Sequence, residues 1–237
     1  MIDSAFPYRI IPIGDSSLLV DYGNVIDEAV NAEVLRRFRQ LQQHPLKGMR
    51  EVVPAYSSLS IYYDVFQLCK MVPEKTTVFD WIKNELQHRL QQPALQTEES
   101  HKLVRIPVCY DESVAPELPA ICASINISRE ELVALHTGRQ YRVYMLGFLP
   151  GFAYLGQTDE RIALPRKSQP HLIKAGSIGI AGRQTGIYPL TSPGGWQVIG
   201  RTPQAILQKT DDHNLTLLQA GDIVEFYPIT SDEFESH

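Results

Sequence analysis

Ten of the fifteen glycines fall between Gly147 and Gly200, and Pro150, Pro165, Pro170, Pro189 and Pro193 are interleaved with them. No helix of ordinary length survives that density of breakers. Glycine loses the most backbone freedom in a helix, and proline removes a donor and clashes with the preceding turn. Short apolar runs fill the gaps: Leu172-Ile173, Ile178 to Ala181, Val198-Ile199 and Ile223 to Tyr227. Many short strands joined by Gly/Pro turns predict a closed or nearly closed β-barrel over the C-terminal half.

The N-terminal half reads differently. Tyr8 to Ile13 and Ser17 to Tyr22, separated by Gly14-Asp15, predict a strand hairpin. From Asp27 a helical period takes over, with Val30, Val34, Phe38 and Leu41 on one stripe and Arg36, Arg37, Arg39 and Gln40 expected on the outer face. Pro45 and Gly48 end it. Val52-Val53 and Leu59 to Tyr63 predict two more strands. Val78, Ile82, Leu86 and Leu90 predict a second helix that starts after Thr76 or Thr77 and stops at Pro93. The order is ββαββα, a small α/β sandwich over residues 1–92. Residues 93–102, almost without apolar content, are the expected linker, and 103–237 the second domain. In that domain Val104 to Tyr110 predicts a strand. Ser128 and Glu131 predict a capping box ahead of a short helix that carries Leu132 and Leu135 and ends before Gly138. The fold class expected is therefore α+β.

At 237 residues and 43% hydrophobic content the chain can bury a core unaided. Its formal net charge of −5 argues against a nucleic-acid partner. Cys69, Cys109 and Cys122 lack CxxC spacing, and none of the seven histidines forms an HxH or HxxxH pair, so neither a disulfide framework nor a metal site is expected. The start MIDSAFPYRI lacks a basic flank and an apolar core, so no signal peptide is read. Val143 to Thr158, 16 residues broken by Pro150 and three glycines, is too short to span a membrane. A cytoplasmic location is the expectation. Walker A, GxGxxG and GxSxG patterns are absent.

Charge is unevenly spread. Between Val143 and Pro203 stand Arg161, Arg166, Lys167, Lys174, Arg183 and Arg201 against Asp159 and Glu160, a local excess of +4 on an acidic protein. Together with the glycines this suits an anion site, since turn N–H groups form anion-binding nests. The same composition also suits glycines that merely turn barrel corners beneath solvated arginines. Gly179 to Pro189 offers Arg183, Gln184, Thr185 and Tyr188 either as a donor-bearing loop or as an ordinary polar-tipped hairpin. Ser192 to Trp196 (SPGGW) presents Trp196 as a platform or as core. Phe148, Phe152 and Tyr154 fall at even spacing, as if along one strand face, and read equally as pocket wall or core. His136 and His171 read as capping or surface residues. No carboxylate pair stands out for acid/base work.

GFLPGFAYLG, Pro165-Arg166, AGSIGIAGRQTGIYP and SPGGWQVIGRTP follow one another, with GDSSLLVDYG, VVPAYSSLSIYYD, IPVCYD, RVYM and AGDIVEFYPI around them. In that order they closely resemble the family of 5-oxoprolinase B subunits, which includes the sporulation-kinase inhibitor KipI and allophanate-hydrolase subunit 1 domains. The resemblance implies an N-terminal α/β domain and a C-terminal cyclophilin-like β-barrel. It implies ATP-dependent opening of 5-oxoproline to glutamate, with ATP and its accompanying Mg consumed by a complex with subunits A and C. Under it, Arg166, Arg183 and Arg201 supply positive charge, and Gln184, Thr185 and Ser192 hydrogen-bond substrate oxygens. Gly194 and Gly195 let backbone N–H groups approach, while Phe152, Tyr154, Tyr188 and Trp196 form walls; no catalytic base is named. The chain departs from the family's pattern in three places: Pro170-His171 stands where a second Pro-Arg is common, Lys174 where proline is, and the segment between Pro203 and Leu218 fits poorly. Related chains imply two other uses, inhibition of a histidine kinase and half of a biotin-dependent urea carboxyltransferase. Prolyl isomerisation would follow from barrel shape alone and is discounted.

Overall fold

The structure is a computed structural model that describes residues 6–92, 102–209 and 214–237. The chain divides into two compact units, 1–99 and 100–237, each with its own apolar core. The expected linker at 93–102 lies outside the described residues except for Lys102.

The first unit runs β1 (Arg9–Pro12), β2 (Ser17–Asp21), α1 (Glu28–Gln43), β3 (Met49–Pro54), β4 (Ser58–Tyr63), α2 (Val65–Cys69) and α3 (Val78–Gln91). The strands form one antiparallel sheet in the order β1-β2-β4-β3. α1 begins where Asp27 accepts a hydrogen bond from the Val30 N–H, and α3 where Thr77 accepts one from the Asp80 N–H. Val34 and Leu41 from α1 and Ile82, Leu86 and Leu90 from α3 are buried with Leu18, Leu59 and Ile61 from the sheet. One expectation fails on α1. Arg37 and Gln40 are buried rather than on the outer face. Arg37 pairs with buried Glu33 at 2.7 Å and donates to Gln40 Oε1 and to the Gln92 carbonyl, each at 3.0 Å. Gln40 in turn donates to the Arg89 carbonyl at 3.3 Å. Arg89 and Gln92 stand at the C-terminal end of α3, where carbonyls lack helical partners. A buried polar pair on α1 supplies them.

The second unit runs β5 (Leu103–Cys109), α4 (Leu118–Ile125), α5 (Arg129–Thr137), β6 (Gln140–Leu146), β7 (Ala153–Gly156), β8 (His171–Ile173), β9 (Ser177–Ala181), β10 (Gln184–Ile187), β11 (Ser192–Gly194), β12 (Gln197–Arg201), β13 (Leu207–Lys209), β14 (Asn214–Thr216), β15 (Ile223–Ile229) and α6 (Ser231–Glu235). Seven strands close the expected barrel in the order β10-β7-β6-β15-β5-β12-β9. Its β15–β5 pair is parallel and the others antiparallel. Outside it, β8 and β11 make a two-stranded sheet, as do β13 and β14. Strand alternation divides the wall. Leu155, Ile178, Ile180 and Ile187 belong to the barrel core, whereas Tyr154 and Ala181 belong to a second cluster.

Several local expectations change. Ser128 accepts from the Glu131 N–H as a cap, but the Glu131 carboxylate pairs with Arg161 at 3.2 Å. Phe148 shares no strand face with Phe152: it lies in a turn before β7 at φ 68° and is 63% exposed. Helices α2, α4 and α6 add to the elements that the sequence predicts. Among the described residues no helix is long and apolar enough to cross a membrane.

Candidate functional site

The second cluster packs Phe152, Tyr188 and Trp196 with Ile173 and Ala181, and Tyr154 against them. Phe152 stands edge-on to Tyr154, Tyr188 and Trp196, with ring centroids 4.8, 5.0 and 5.4 Å away. The expected wall residues are thus brought together, yet as a core between the barrel and the β8–β11 sheet. Trp196 is only 4% exposed. The glycine-rich motifs make this packing possible. A Cβ at Gly186 would lie 3.0 Å from both the Phe152 and Trp196 rings, and one at Gly194 would collide with the Tyr188 hydroxyl. Gly194 therefore serves the fit of Tyr188. Gly195 accepts the Lys167 N–H at 2.8 Å, which fastens Pro165–Lys167 beside the cluster.

The three arginines expected to converge are placed apart. The Arg166 guanidinium sits 5.9 Å over the Trp196 ring, a cation–π distance. Burial raises the pKa of Tyr154 and Tyr188, and Arg166 opposes the rise at both. Arg183 occupies the β9–β10 turn, after Gly182 at φ 58°, and pairs with Glu160 at 2.7 Å. Arg201 pairs in register with Ser177 at the other end of β9, so the two arginines are roughly 15 Å or more apart along the strand. Arg201 donates to the Ala175 carbonyl at 2.8 Å and lies 5.6 Å from the Phe234 ring centroid. The cationic stretch is largely neutralised as well. Arg161 pairs with Asp159 and Glu131, and Lys167 with Glu117.

Two expected hydrogen-bonding residues, Thr185 and Ser192, are buried. Gln184 and Thr185 are on β10, not in a loop. Thr185 is level with Leu155 and Ile180 of the barrel core and is wholly buried. Its hydroxyl donates to the Gly179 carbonyl at 3.1 Å and meets His136 Nε2 at 3.0 Å, so His136 carries its proton on Nε2. His136 Nδ1 then accepts from the Tyr110 hydroxyl at 2.7 Å. Burial lowers the His136 pKa from its ordinary 6.5 to about 3, so the ring is neutral and structural. Ser192 is buried on β11 opposite Ile173, and its hydroxyl has no hydrogen-bond partner.

A cavity of about 180 Å³ was not expected from the sequence. It opens where β8 faces the turn before α4, and Ile173 and Val198 separate it from the aromatic cluster. Lys167, His171 and Lys174 line it with Ser113, Ser177 and a single carboxylate, Glu117. The Lys167 ammonium, on a side chain only 12% exposed, is the group that Glu117 neutralises. His171 and Lys174 therefore meet in one place. A larger hollow of about 420 Å³ between α5 and α6 gathers no comparable charge, because Arg129 there faces Asp111 at 4.0 Å and Asp232 also lines it. Among the described residues no three His, Cys, Asp or Glu side chains are grouped to hold a metal ion.

Residues 8–218 match the family described as "Carboxyltransferase domain, subdomain C and D". The chain is 40% identical to the 5-oxoprolinase B subunit of Bacillus subtilis (strain 168) over 232 residues, 97% of this chain and 96% of that protein. Among solved structures, TTHA0988 superposes with a TM-score of 0.75 at 32% identity over 90% of this chain, which spans 40% of that longer one. The Kluyveromyces lactis urea carboxylase shares the fold, with a TM-score of 0.73 at 20% identity over 97% of this chain and 22% of its own. Two units with separate cores, a closed barrel and likeness along nearly the whole of both sequences agree: the chain belongs to the family of 5-oxoprolinase B subunits.

Proposed function

We propose that this chain acts as the B subunit of a 5-oxoprolinase, which opens the lactam of 5-oxoproline to glutamate at the expense of ATP. The observation that carries this reading is the likeness to a 5-oxoprolinase B subunit over nearly the full length of both chains. In the proposed reaction the lactam oxygen takes the terminal phosphoryl group of ATP and ADP leaves, water adds at the activated carbon, the ring C–N bond breaks to give an acyl phosphate, and a second water hydrolyses that to glutamate and phosphate. No side chain of this protein is assigned the proton transfers. No residue of this chain is assigned to the Mg ion that accompanies ATP. Subunits A and C are the proposed partners, and the chain alone is proposed to be inactive.

Mixing the purified chain with its A and C partners, 5-oxoproline, ATP and Mg should give glutamate and ADP in equal amounts, and omitting this chain should abolish glutamate. Absence of glutamate under conditions where the Bacillus subtilis subunits work would reject the reading. The description of the matching family favours a second reading, half of a carboxyltransferase. That reading requires a biotinylated carrier, so turnover that avidin stops would favour it.

A further inference from the structure

We propose that the cavity between β8 and the turn before α4 is a binding site for a small monocarboxylate, with Lys174 and His171 facing the carboxylate. That 5-oxoproline is this carboxylate rests on the proposed function; the class of ligand does not.

Charge supplies the first argument. Of the six basic residues between Val143 and Pro203, Arg161, Lys167 and Arg183 each pair with a carboxylate. Arg166 and Arg201 lie over aromatic rings. Lys174 is left, without an ion pair among the described residues, and it lines the cavity just after β8, whose first residue, His171, lines it too. The one carboxylate in the wall, Glu117, is already taken by the deeply set Lys167. The cavity therefore has in its wall a cation that no carboxylate among the described residues neutralises.

Size and lining narrow the guest. At about 30 Å³ per water, 180 Å³ holds roughly six waters, enough for a carboxylate on a compact carbon frame and too little for a nucleotide. Val114, Ile173 and Val198 offer an apolar wall for that frame. Leu172, another lining residue, is 74% exposed. Buried Ser177 adds a hydroxyl for a neutral carbonyl or amide edge. A few convergent polar groups in an apolar hollow are what small-molecule sites are built from.

The test titrates the isolated full chain with 5-oxoproline, with 2-pyrrolidone (the same ring without its carboxylate), with short aliphatic carboxylates and with inorganic phosphate. Binding is followed by calorimetry and by the His171 ring signals in NMR. The expected result is binding of one or more of the carboxylates with movement of the His171 signals, no binding of 2-pyrrolidone, and affinity weakened tenfold or more by Lys174→Met. Lys70→Met, on the first unit, should bind as the parent does. Short carboxylates that bind where 5-oxoproline does not would support the cavity assignment and count against the proposed function. Phosphate binding more tightly than every carboxylate would overturn the proposal, and so would no binding of any carboxylate up to about 10 mM. Either failure leaves the reconstituted glutamate assay to judge the function separately. In that assay Lys174→Met should raise KM for 5-oxoproline and leave KM for ATP unchanged; an unchanged KM for 5-oxoproline would overturn 5-oxoproline as the occupant of this cavity.

Discussion

His136 and Thr185 are close to one another because β10 alternates. Gln184 and Gly186 face out of the barrel, and Thr185, between them, faces in. The hydroxyl that reads in sequence as a ligand donor is thereby spent on Gly179 and His136. The buried ring has a consequence for pH. Its pKa in the fold is about 3 against an ordinary 6.5, so above pH 6.5 neither folded nor unfolded chain carries the proton. As pH falls below 6.5 the unfolded chain binds a proton that the folded one refuses. Stability should drop by about 1.4 kcal/mol per pH unit toward pH 3 from this group alone. Asp159 acts in the same sense at lower pH: the Arg161 N–H and guanidinium hold its pKa down, and that stabilisation is lost as pH falls through the lowered value. Urea unfolding at pH 7, 6, 5 and 4.5 checks this. A flat profile between pH 6 and 4.5 would contradict a buried neutral His136, and His136→Phe should flatten the slope while lowering stability at pH 7.

Arg37 and Glu33 show why an element's polar residues do not all mark its outer face. α1 has its apolar stripe where the period puts it, yet two of its polar residues, Arg37 and Gln40, turn toward the end of α3. The spacing of α1 alone gives no sign of this, because the need arises from carbonyls on a different helix, far away in sequence. Removing the guanidinium takes the donor from the Gln92 carbonyl, from the Gln40 oxygen and from one oxygen of buried Glu33. Arg37→Ala should cost about 3 kcal/mol. The exposed Arg9–Asp21 pair gives the contrast, since its loss in Arg9→Ala should cost less than about 1 kcal/mol. Denaturant titration of the two variants side by side checks the difference, and equal effects would show that Arg37 is solvated. Barrel elements were more legible. Each apolar run between Gly/Pro breakers became a strand, because a short segment closed at both ends by turns can satisfy its backbone only by pairing laterally. The short helices α2, α4 and α6 were not legible, since one or two turns show little periodicity.

The two units have separate apolar cores, and every strand of the barrel lies after residue 101. A chain of residues 102–237 should therefore fold by itself, with the far-ultraviolet circular dichroism of a β-rich domain and dispersed amide signals. A collapsed spectrum without dispersion would show that the barrel depends on the first unit. At this scale the family motifs also take on a physical meaning. Gly179, Gly186 and Gly194 of GIAGRQTGIYP and SPGGW leave room for Trp196 and Tyr188 to pack closely against them. The two-part α+β plan, the barrel, the helix stripes and the family were determined by the sequence itself, because breaker spacing, apolar period and ordered motifs are local properties of the chain. Tertiary structure alone decided which charges remain unpaired. Ion pairs such as Lys167–Glu117 and Arg183–Glu160 join residues that strand pairing and loop packing bring together, so the sum of charge along a segment says little about where a cation is left facing a cavity.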